Sequence, residues 1–242
     1  MEAVGSPVTT LEFDDPEMLV KAIRGASLDP CQLSARPASS VLTRVRCPRI
    51  CLDLVSVGPK MLYTGAMPTD RYTLTFVMKS PEGGRSFNFG TDFAGGYMGF
   101  FPPGTILDAV GSAGSVDAIL TVPVQEFHAA IAVYFPEIPS RVLARGAGMR
   151  VGTTGQAHPR QLLAGIDAAI LHRSAQPAGV QPCCAELERA LLPAFLVALR
   201  SGCHDLVRPP KQRMVRRYKR FRDARDFMAA HRHKAIHVED LC

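Results

Sequence analysis

Residues 71–79 read RYTLTFVMK, and this stretch has the most regular pattern in the chain. Large apolar side chains occupy every second position and smaller or more polar ones lie between them: Tyr72, Leu74, Phe76 and Met78 on one side, Thr73, Thr75, Val77 and Lys79 on the other. A period of two residues is that of a β-strand, because successive side chains point to opposite faces of a sheet. The stretch therefore predicts a half-buried strand.

Shorter extended segments lie on both sides of this strand, separated by turn signals. Upstream, residues 41–47 and 50–55 alternate in the same way, and a strand begins at Met61 after the turn Val57-Gly58-Pro59-Lys60. Downstream, turns rich in glycine and proline divide strands at 86–89, 97–101, 106–110 and 116–122. About eight short strands without intervening helices are typical of an antiparallel sandwich or barrel rather than of a parallel sheet. We predict that architecture for residues 41–122.

Helical patterns flank the strands. Residues 1–40 read as a lead-in with a short helix from about Pro16. Apolar residues recur at helical spacing between 124 and 136, and further helices are predicted at 159–173 and at 184–202, the last ended by Gly202. The last helix carries one apolar stripe, made of Leu187, Leu191, Phe195 and Ala198. Such a face packs either on the chain's own core or on a second subunit, and we expect a subunit contact.

The positive charge of the chain is concentrated near its C-terminus. The formal net charge is +6, yet residues 208–234 hold 11 Lys and Arg against two acids, so residues 1–207 are nearly neutral. Five basic residues are the candidates for contact with a nucleic-acid backbone: Arg213, Arg216, Arg217, Lys219 and Arg220. Such a cluster attracts polyanions without reading their sequence, although a solvated linker surface explains it equally simply.

The cysteines and the hydropathy pattern place the chain in a reducing compartment. Seven cysteines at irregular spacing are typical of free thiols and do not suit a zinc site. The N-terminus is acidic and does not have the basic start and apolar core of a secretory signal. No stretch reaches the roughly 18 apolar residues of a membrane span. We expect a cytoplasmic protein with no membrane partner and no metal.

The most specific motif closes the chain. Residues 224–242 read ARDFMAAHRHKAIHVEDLC, and the pattern over 220–242 resembles the opening of the DNA-binding domain of AraC/XylS-type bacterial transcriptional regulators. In that family an apolar first helix leads through a turn to an Asp-Leu-Cys or Asp-Leu-Ala phrase, which matches Asp240, Leu241 and Cys242 here. The chain departs from the family at Ala235, where proline is usual, and at His237, where a Ser or Thr cap is usual.

The resemblance implies an α+β fold, in which a cupin-like antiparallel β-barrel or sandwich is followed by dimerisation helices and by a fragment of an all-α helix-turn-helix domain. It divides the chain into a sensing and dimerisation domain (1–207), a basic linker (208–219) and an incomplete helix-turn-helix domain (220–242). The partners implied are a small-molecule effector, a second copy of the chain and, for an intact regulator, DNA. Because recognition helices are missing, we expect no sequence-specific DNA binding by this chain alone.

Within the barrel the resemblance implies an effector pocket, with no cofactor. The aromatic and polar candidates to line it are Tyr63, Arg71, Tyr72, Phe76, Phe87, Phe89, Asp92 and Tyr97, any of which could instead be an ordinary core residue. The alternative function is a cupin-like binding protein or enzyme without a DNA role. Residues 41–122 contain no histidine, and no nucleophile motif is recognisable, so we do not expect an enzyme.

Overall fold

A computed structural model gives the fold. It describes residues 8–23, 26–35, 38–81, 86–88, 91–138, 140–144, 146–152 and 184–206, together with residues 157, 159–161, 163–164, 220, 223–224, 226–228 and 230–233. The chain divides into two compact units, 1–207 and 208–242.

Two antiparallel sheets make up most of the first unit. The larger sheet has seven strands in the order β1 (Val8–Phe13), β3 (Ser40–Arg46), β4 (Cys51–Ser56), β11 (Val116–Pro123), β6 (Arg71–Lys79), β9 (Tyr97–Phe101) and β12 (Ala147–Arg150). The smaller has five, in the order β2 (Ser27–Gln32), β5 (Met61–Ala66), β10 (Ile106–Gly111), β7 (Ser86–Asn88) and β8 (Thr91–Phe93). The predicted antiparallel sandwich is thus confirmed.

Four strands were not predicted, namely β1, β2, β8 and β12, and each of them is the end strand of its sheet. The lead-in forms β1, which pairs with β3, and β2, which pairs with β5. Strand β2 contains Pro30, which has no N–H to donate, and such a residue is tolerated at an edge. Strand β12 has only four residues and pairs with β9. Edge strands of this kind have few apolar residues and therefore a weak alternation signal.

Helices lie between and after the strands of the first unit. Helix α1 (Pro16–Ala22) begins after Asp15, whose side chain accepts a hydrogen bond from the Glu17 N–H at 2.8 Å. Helix α2 (Val124–Tyr134) and the short α3 (Ser140–Leu143) follow β11, and α4 (Cys184–Leu206) follows β12. Of the helix predicted at 159–173, residues 159–161 and 163–164 are helical and the rest lies outside the described residues. None of the described helices is long and apolar enough to cross a membrane.

The main core lies between the large sheet and helices α2 and α4. Tyr72, Leu74 and Phe76 of β6 contribute to it, together with Phe127 of α2. The four stripe residues of α4 belong to the same core: Leu187 is 7% exposed, and Leu191, Phe195 and Ala198 are fully buried. This position corrects the expectation of a subunit contact. In this structure the stripe packs against its own chain, so a second subunit has no access to it.

Helix α4 is held against the large sheet by an ion pair and by a close approach of its backbone. The Glu188 carboxylate, 8% exposed, accepts hydrogen bonds from the Arg49 backbone N–H at 2.7 Å and from Arg49 Nε at 2.9 Å. The prediction that Gly202 ends this helix was wrong, because the helix continues to Leu206. A Cβ at this position would lie 2.5 Å from the Met149 Sδ, so a larger residue fits there only if the Met149 side chain moves.

The second unit, residues 208–242, is described only in part. Residues 220, 223–224, 226–228 and 230 are helical, in agreement with the helix predicted there. The His231 ring stacks on Phe227 with centroids 4.2 Å apart, and the side chains of Phe227 and Met228 are 36% and 41% exposed. Residues 234–242, which carry the Asp-Leu-Cys phrase, lie outside the described residues. The same is true of Arg213, Arg216, Arg217 and Lys219, whereas the Arg220 side chain is exposed.

Candidate functional site

A cavity of about 140 Å³, partly open to solvent, lies between the two sheets. Its wall is mostly apolar, with Val55, Met67, Val77, Phe93, Phe101 and Leu107 among the residues that line it. Five polar side chains interrupt this wall: Tyr63, Thr75, Ser86, Asn88 and Asp117. A mostly apolar cavity with a few convergent polar groups is the usual form of a small-molecule site.

The strand registers place the polar groups in two rows that line this cavity. In the smaller sheet, Ala109 of β10 is paired with Tyr63 of β5 on one side and with Asn88 of β7 on the other. In the larger sheet, Asp117 of β11 is paired with Val55 of β4 and with Val77 of β6. Directly paired residues share a face of a sheet. The small side chain of Ala109 leaves room between Tyr63 and Asn88.

Asp117 is the most unusual group in the cavity. The residue is only partly exposed, and the desolvation of its carboxyl raises its pKa from 3.8 to about 7. The Ser115 hydroxyl donates to Asp117 Oδ2 at 3.3 Å, and this hydrogen bond opposes the effect of burial on the pKa. Burial also raises the pKa of Tyr63, with a further contribution from the nearby charge of Asp117. Near neutral pH the cavity therefore contains a carboxyl that is partly ionised.

The Asn88 side chain adds a free acceptor. The residue is 8% exposed, and its Oδ1 has no hydrogen-bond partner among the described residues. A buried carbonyl without a partner costs about 1–3 kcal/mol of stability, so its presence calls for an explanation. The neighbouring Ser86 differs, since its Oγ accepts from the Ser112 N–H at 2.9 Å and lies 2.9 Å from the Ser112 hydroxyl. A bound molecule with a donor group would satisfy Asn88.

Of the eight residues predicted to line the pocket, Tyr63 lies in this cavity. The prediction placed β6 with the wrong face inward: Tyr72 and Phe76 point to the helices, while Thr75 and Val77 face the cavity. Tyr72 stacks on Phe127 with centroids 4.1 Å apart, and its hydroxyl lies 3.3 Å from His128 Nε2.

The other predicted pocket residues are engaged elsewhere or fall outside the description. Arg71 is paired with the neighbouring Asp70 at 2.6 Å. Tyr97 lies beside Phe93, with ring centroids 5.6 Å apart, and does not line the cavity. Phe89 and the side chains of Phe87 and Asp92 lie outside the described residues.

Sequence reasoning overlooked Asp117, Asn88 and Thr75. A signal for Asp117 was present, because the strand VDAILTVP is apolar at nearly every position and has a single charged residue. A carboxylate in a strand that is covered on both faces must be paired, neutralised or functional. Aromatic character, on which most of the predicted pocket residues depend, does not mark a carboxylate in an otherwise apolar strand.

A larger but open cleft, of about 380 Å³, lies on the surface where β4 and α2 begin. Arg49 lies in this cleft and is paired with Glu188 at 2.9 Å and with Glu126 at 3.6 Å. Because these charges already satisfy one another, the cavity between the sheets is the better candidate site. In the described part of the chain, no group of three or more His, Cys, Asp or Glu side chains is arranged to hold a metal ion.

Comparison with known proteins identifies the fold. No protein-family profile matches the sequence, and no curated protein is similar to it. The structure, however, is similar to the crystal structure of the AraC-like transcriptional activator CuxR, with a TM-score of 0.57 and 14% identity over 97% of this chain and 83% of that one. The resemblance to AraC-type regulators is therefore confirmed at the level of the fold.

Two further structures show weaker similarity. ToxT from Vibrio cholerae matches 81% of this chain and 70% of its own length, with 7% identity and a TM-score of 0.36. An RmlC-like cupin from Shewanella frigidimarina matches 41% of this chain and 87% of its own length, with 10% identity and a TM-score of 0.28.

Proposed function

We propose that this chain contains the effector-sensing and dimerising part of an AraC-type transcriptional regulator. The observation that carries the proposal is the similarity of fold to an AraC-like transcriptional activator over 97% of the chain. The cavity between the sheets, where the Asn88 carbonyl has no hydrogen-bond partner among the described residues, supports the sensing role. The basic segment 208–234 and the motif at 224–242 support the role in transcription.

The position of the cavity provides a route for a signal. Strands β6 and β11 separate the cavity from the helical layer, and their side chains alternate between the two. Thr75 and Asp117 face the cavity, while Phe76 and Ala118 on the same strands pack in the core that contains α2 and α4. A ligand that shifts either strand therefore also shifts the packing of the helices, since a close-packed core transmits displacements.

Dimerisation is part of this proposal, and its surface must be one that the core has not already buried. In the described part of the first unit, Val133 and Tyr134 of α2 are large apolar residues that are 74% and 51% exposed. We expect a dimer in solution that the double substitution Val133→Glu and Tyr134→Glu converts to a folded monomer, as measured by light scattering. A wild-type monomer at tens of micromolar protein would contradict the proposal of a dimer.

The DNA role proposed here concerns the phosphate backbone. Arg213, Arg216, Arg217, Lys219 and Arg220 lie in a segment with a strong excess of positive charge. Basic side chains that contact phosphates position a protein on DNA but do not read its sequence, which requires recognition helices in the major groove. We therefore expect the 242-residue chain to bind duplex DNA weakly and without sequence preference.

The sensing role is tested by a thermal-shift screen of the whole chain against a panel of small metabolites. A ligand present at 100 times its Kd stabilises the native state by about 2.7 kcal/mol, which is readily detected. Ala109→Met fills the space between Tyr63 and Asn88 and should abolish the shift, whereas Ala132→Met on the exposed face of α2 should not.

Two results of this screen would contradict the sensing role. Hits that Ala109→Met leaves unchanged would show that the cavity is not the binding site. Chemical turnover of a hit would instead favour the alternative function, a cupin-like enzyme without a DNA role.

A further inference from the structure

We propose that the molecule bound in the cavity is a small organic cation, with an ammonium group beside Asp117 and an apolar body about the size of a six-membered ring. The inference rests on the proposed sensing function and specifies the chemistry of its ligand. It is carried by the charges, the hydrogen-bonding groups and the volume of the cavity.

The charge of the cavity wall favours a cation. Among the described residues that line it, Asp117 is the one formally charged side chain, and there is no Lys, Arg or His. A carboxylate or phosphate ligand would enter beside Asp117 without a cation to compensate it, and burying an unpaired charge is costly. An ammonium group supplies the counter-charge that the described wall does not contain.

The hydrogen-bonding groups of the wall point to a ligand with several donors. One carboxylate oxygen of Asp117 accepts a hydrogen bond from Ser115, and the other is an acceptor for a ligand. Asn88 Oδ1 has no hydrogen-bond partner among the described residues, and the Tyr63 hydroxyl can also accept. An ammonium group has three donors and no acceptor. It would thus satisfy groups that the described part of the protein leaves open.

The remaining wall suits the rest of such a ligand. Tyr63, Phe93 and Phe101 present aromatic rings, which attract a cation through their π faces and an apolar body through contact. The volume of about 140 Å³ is close to that of engineered apolar cavities of about 150 Å³ that hold benzene. The part of the ligand that lies inside the cavity is therefore about the size of one ring and its amino substituent.

A matched set of three probes tests the inference: benzylamine as the cation, benzyl alcohol as its neutral counterpart and benzoate as the anion. Their affinities for the full chain are measured by calorimetry at pH 8, where Asp117 is ionised. We expect benzylamine to bind at least about tenfold more tightly than benzyl alcohol, and benzoate to bind most weakly. Asp117→Asn should remove the advantage of benzylamine and change the affinity for benzyl alcohol by less than about threefold.

Asp108→Asn provides the matched control, because this carboxyl lies on β10 and does not line the cavity. It should leave all three affinities unchanged. A second arm uses pH: among the described lining residues only Asp117 and Tyr63 titrate, and Tyr63 remains neutral up to pH 8. The wild-type affinity for benzylamine should therefore rise about tenfold from pH 6 to pH 8, as Asp117 ionises.

The outcomes separate this inference from the function on which it rests. Benzyl alcohol that binds as tightly as benzylamine, and is lost in Ala109→Met, would overturn the cationic ligand and leave the cavity as a binding site. Benzoate binding more tightly than benzylamine would overturn the inference as well. If none of the probes binds, the inference of a small aromatic cation fails, whereas the sensing role is still decided by the metabolite screen.

Discussion

The burial of Asp117 has a direct consequence for the stability of the protein. The carboxyl pKa is about 7 in the folded state and 3.8 when unperturbed, so the folded chain holds its proton more tightly than the unfolded chain does. A raised carboxyl pKa stabilises the fold only while the group is protonated. The contribution of Asp117 to the free energy of unfolding is therefore fully present below about pH 4 and is lost as the pH rises through 7. For these two pKa values, the loss between pH 5 and pH 8 is about 2.5 kcal/mol.

The substitution Asp117→Asn removes the titration and keeps the size of the side chain. We expect the wild-type free energy of unfolding to fall about 2.5 kcal/mol further than that of the variant between pH 5 and pH 8. Urea unfolding followed by circular dichroism at four pH values, with the slope against urea held comparable, measures this difference. Asp108→Asn should keep the wild-type pH dependence, since its carboxyl lies outside the cavity. Parallel pH profiles for wild type and Asp117→Asn would refute the reasoning.

Three further predictions concern the core, the buried ion pair and the basic segment. Leu191→Ala should destabilise the fold by about 2–5 kcal/mol in urea titrations because this residue is fully buried, while Arg189→Ala on the exposed face of α4 should have little effect. A stable, folded Leu191→Ala monomer would restore the subunit-contact interpretation. Asp53→Ala should lower the free energy of unfolding by about 3–5 kcal/mol, because two nitrogens of the Arg44 guanidinium, each 2.7 Å from the carboxylate, lose their buried partner. A decrease below about 1 kcal/mol, which is typical of an exposed ion pair, would contradict this. In gel shifts, the affinity of the chain for duplex DNA should fall steeply with salt, because residues 208–234 carry the positive charge, and it should be the same for a promoter and for a random sequence. A preference above about tenfold for one sequence near physiological salt would contradict this prediction.

The sandwich itself could be predicted from the sequence, because alternation is a local property of each strand. The strand at 71–79 and the helix at 124–134 follow directly from periods of two and of about 3.6 residues. Which face of a strand points to which layer is not a local property. In β6 both faces are buried, one by the helices and one by the second sheet, so the larger side chains marked the helical core rather than the cavity.

The helix α4 illustrates the same limit. Its stripe of Leu191 and its neighbours showed that the helix needed an apolar partner, but the pattern is identical for a partner in the same chain or in another one. The close approach of Gly202 to Met149, which brings α4 against β12, depends on residues about 50 positions apart in sequence. The cavity depends in turn on the pairing of Ala109 with Tyr63 and Asn88, which no local pattern reveals.

The central claim is that the space between the two sheets is a ligand site, and an NMR titration of the ¹⁵N-labelled chain tests it most directly. Benzyl alcohol is the appropriate probe, because it fits the cavity without depending on the charge of Asp117. We predict saturable chemical-shift changes that are largest at the amides of Thr75, Asn88, Ala109 and Asp117, and that disappear in Ala109→Met. Changes that do not saturate, or that are largest around the surface cleft at Arg49, would contradict the claim.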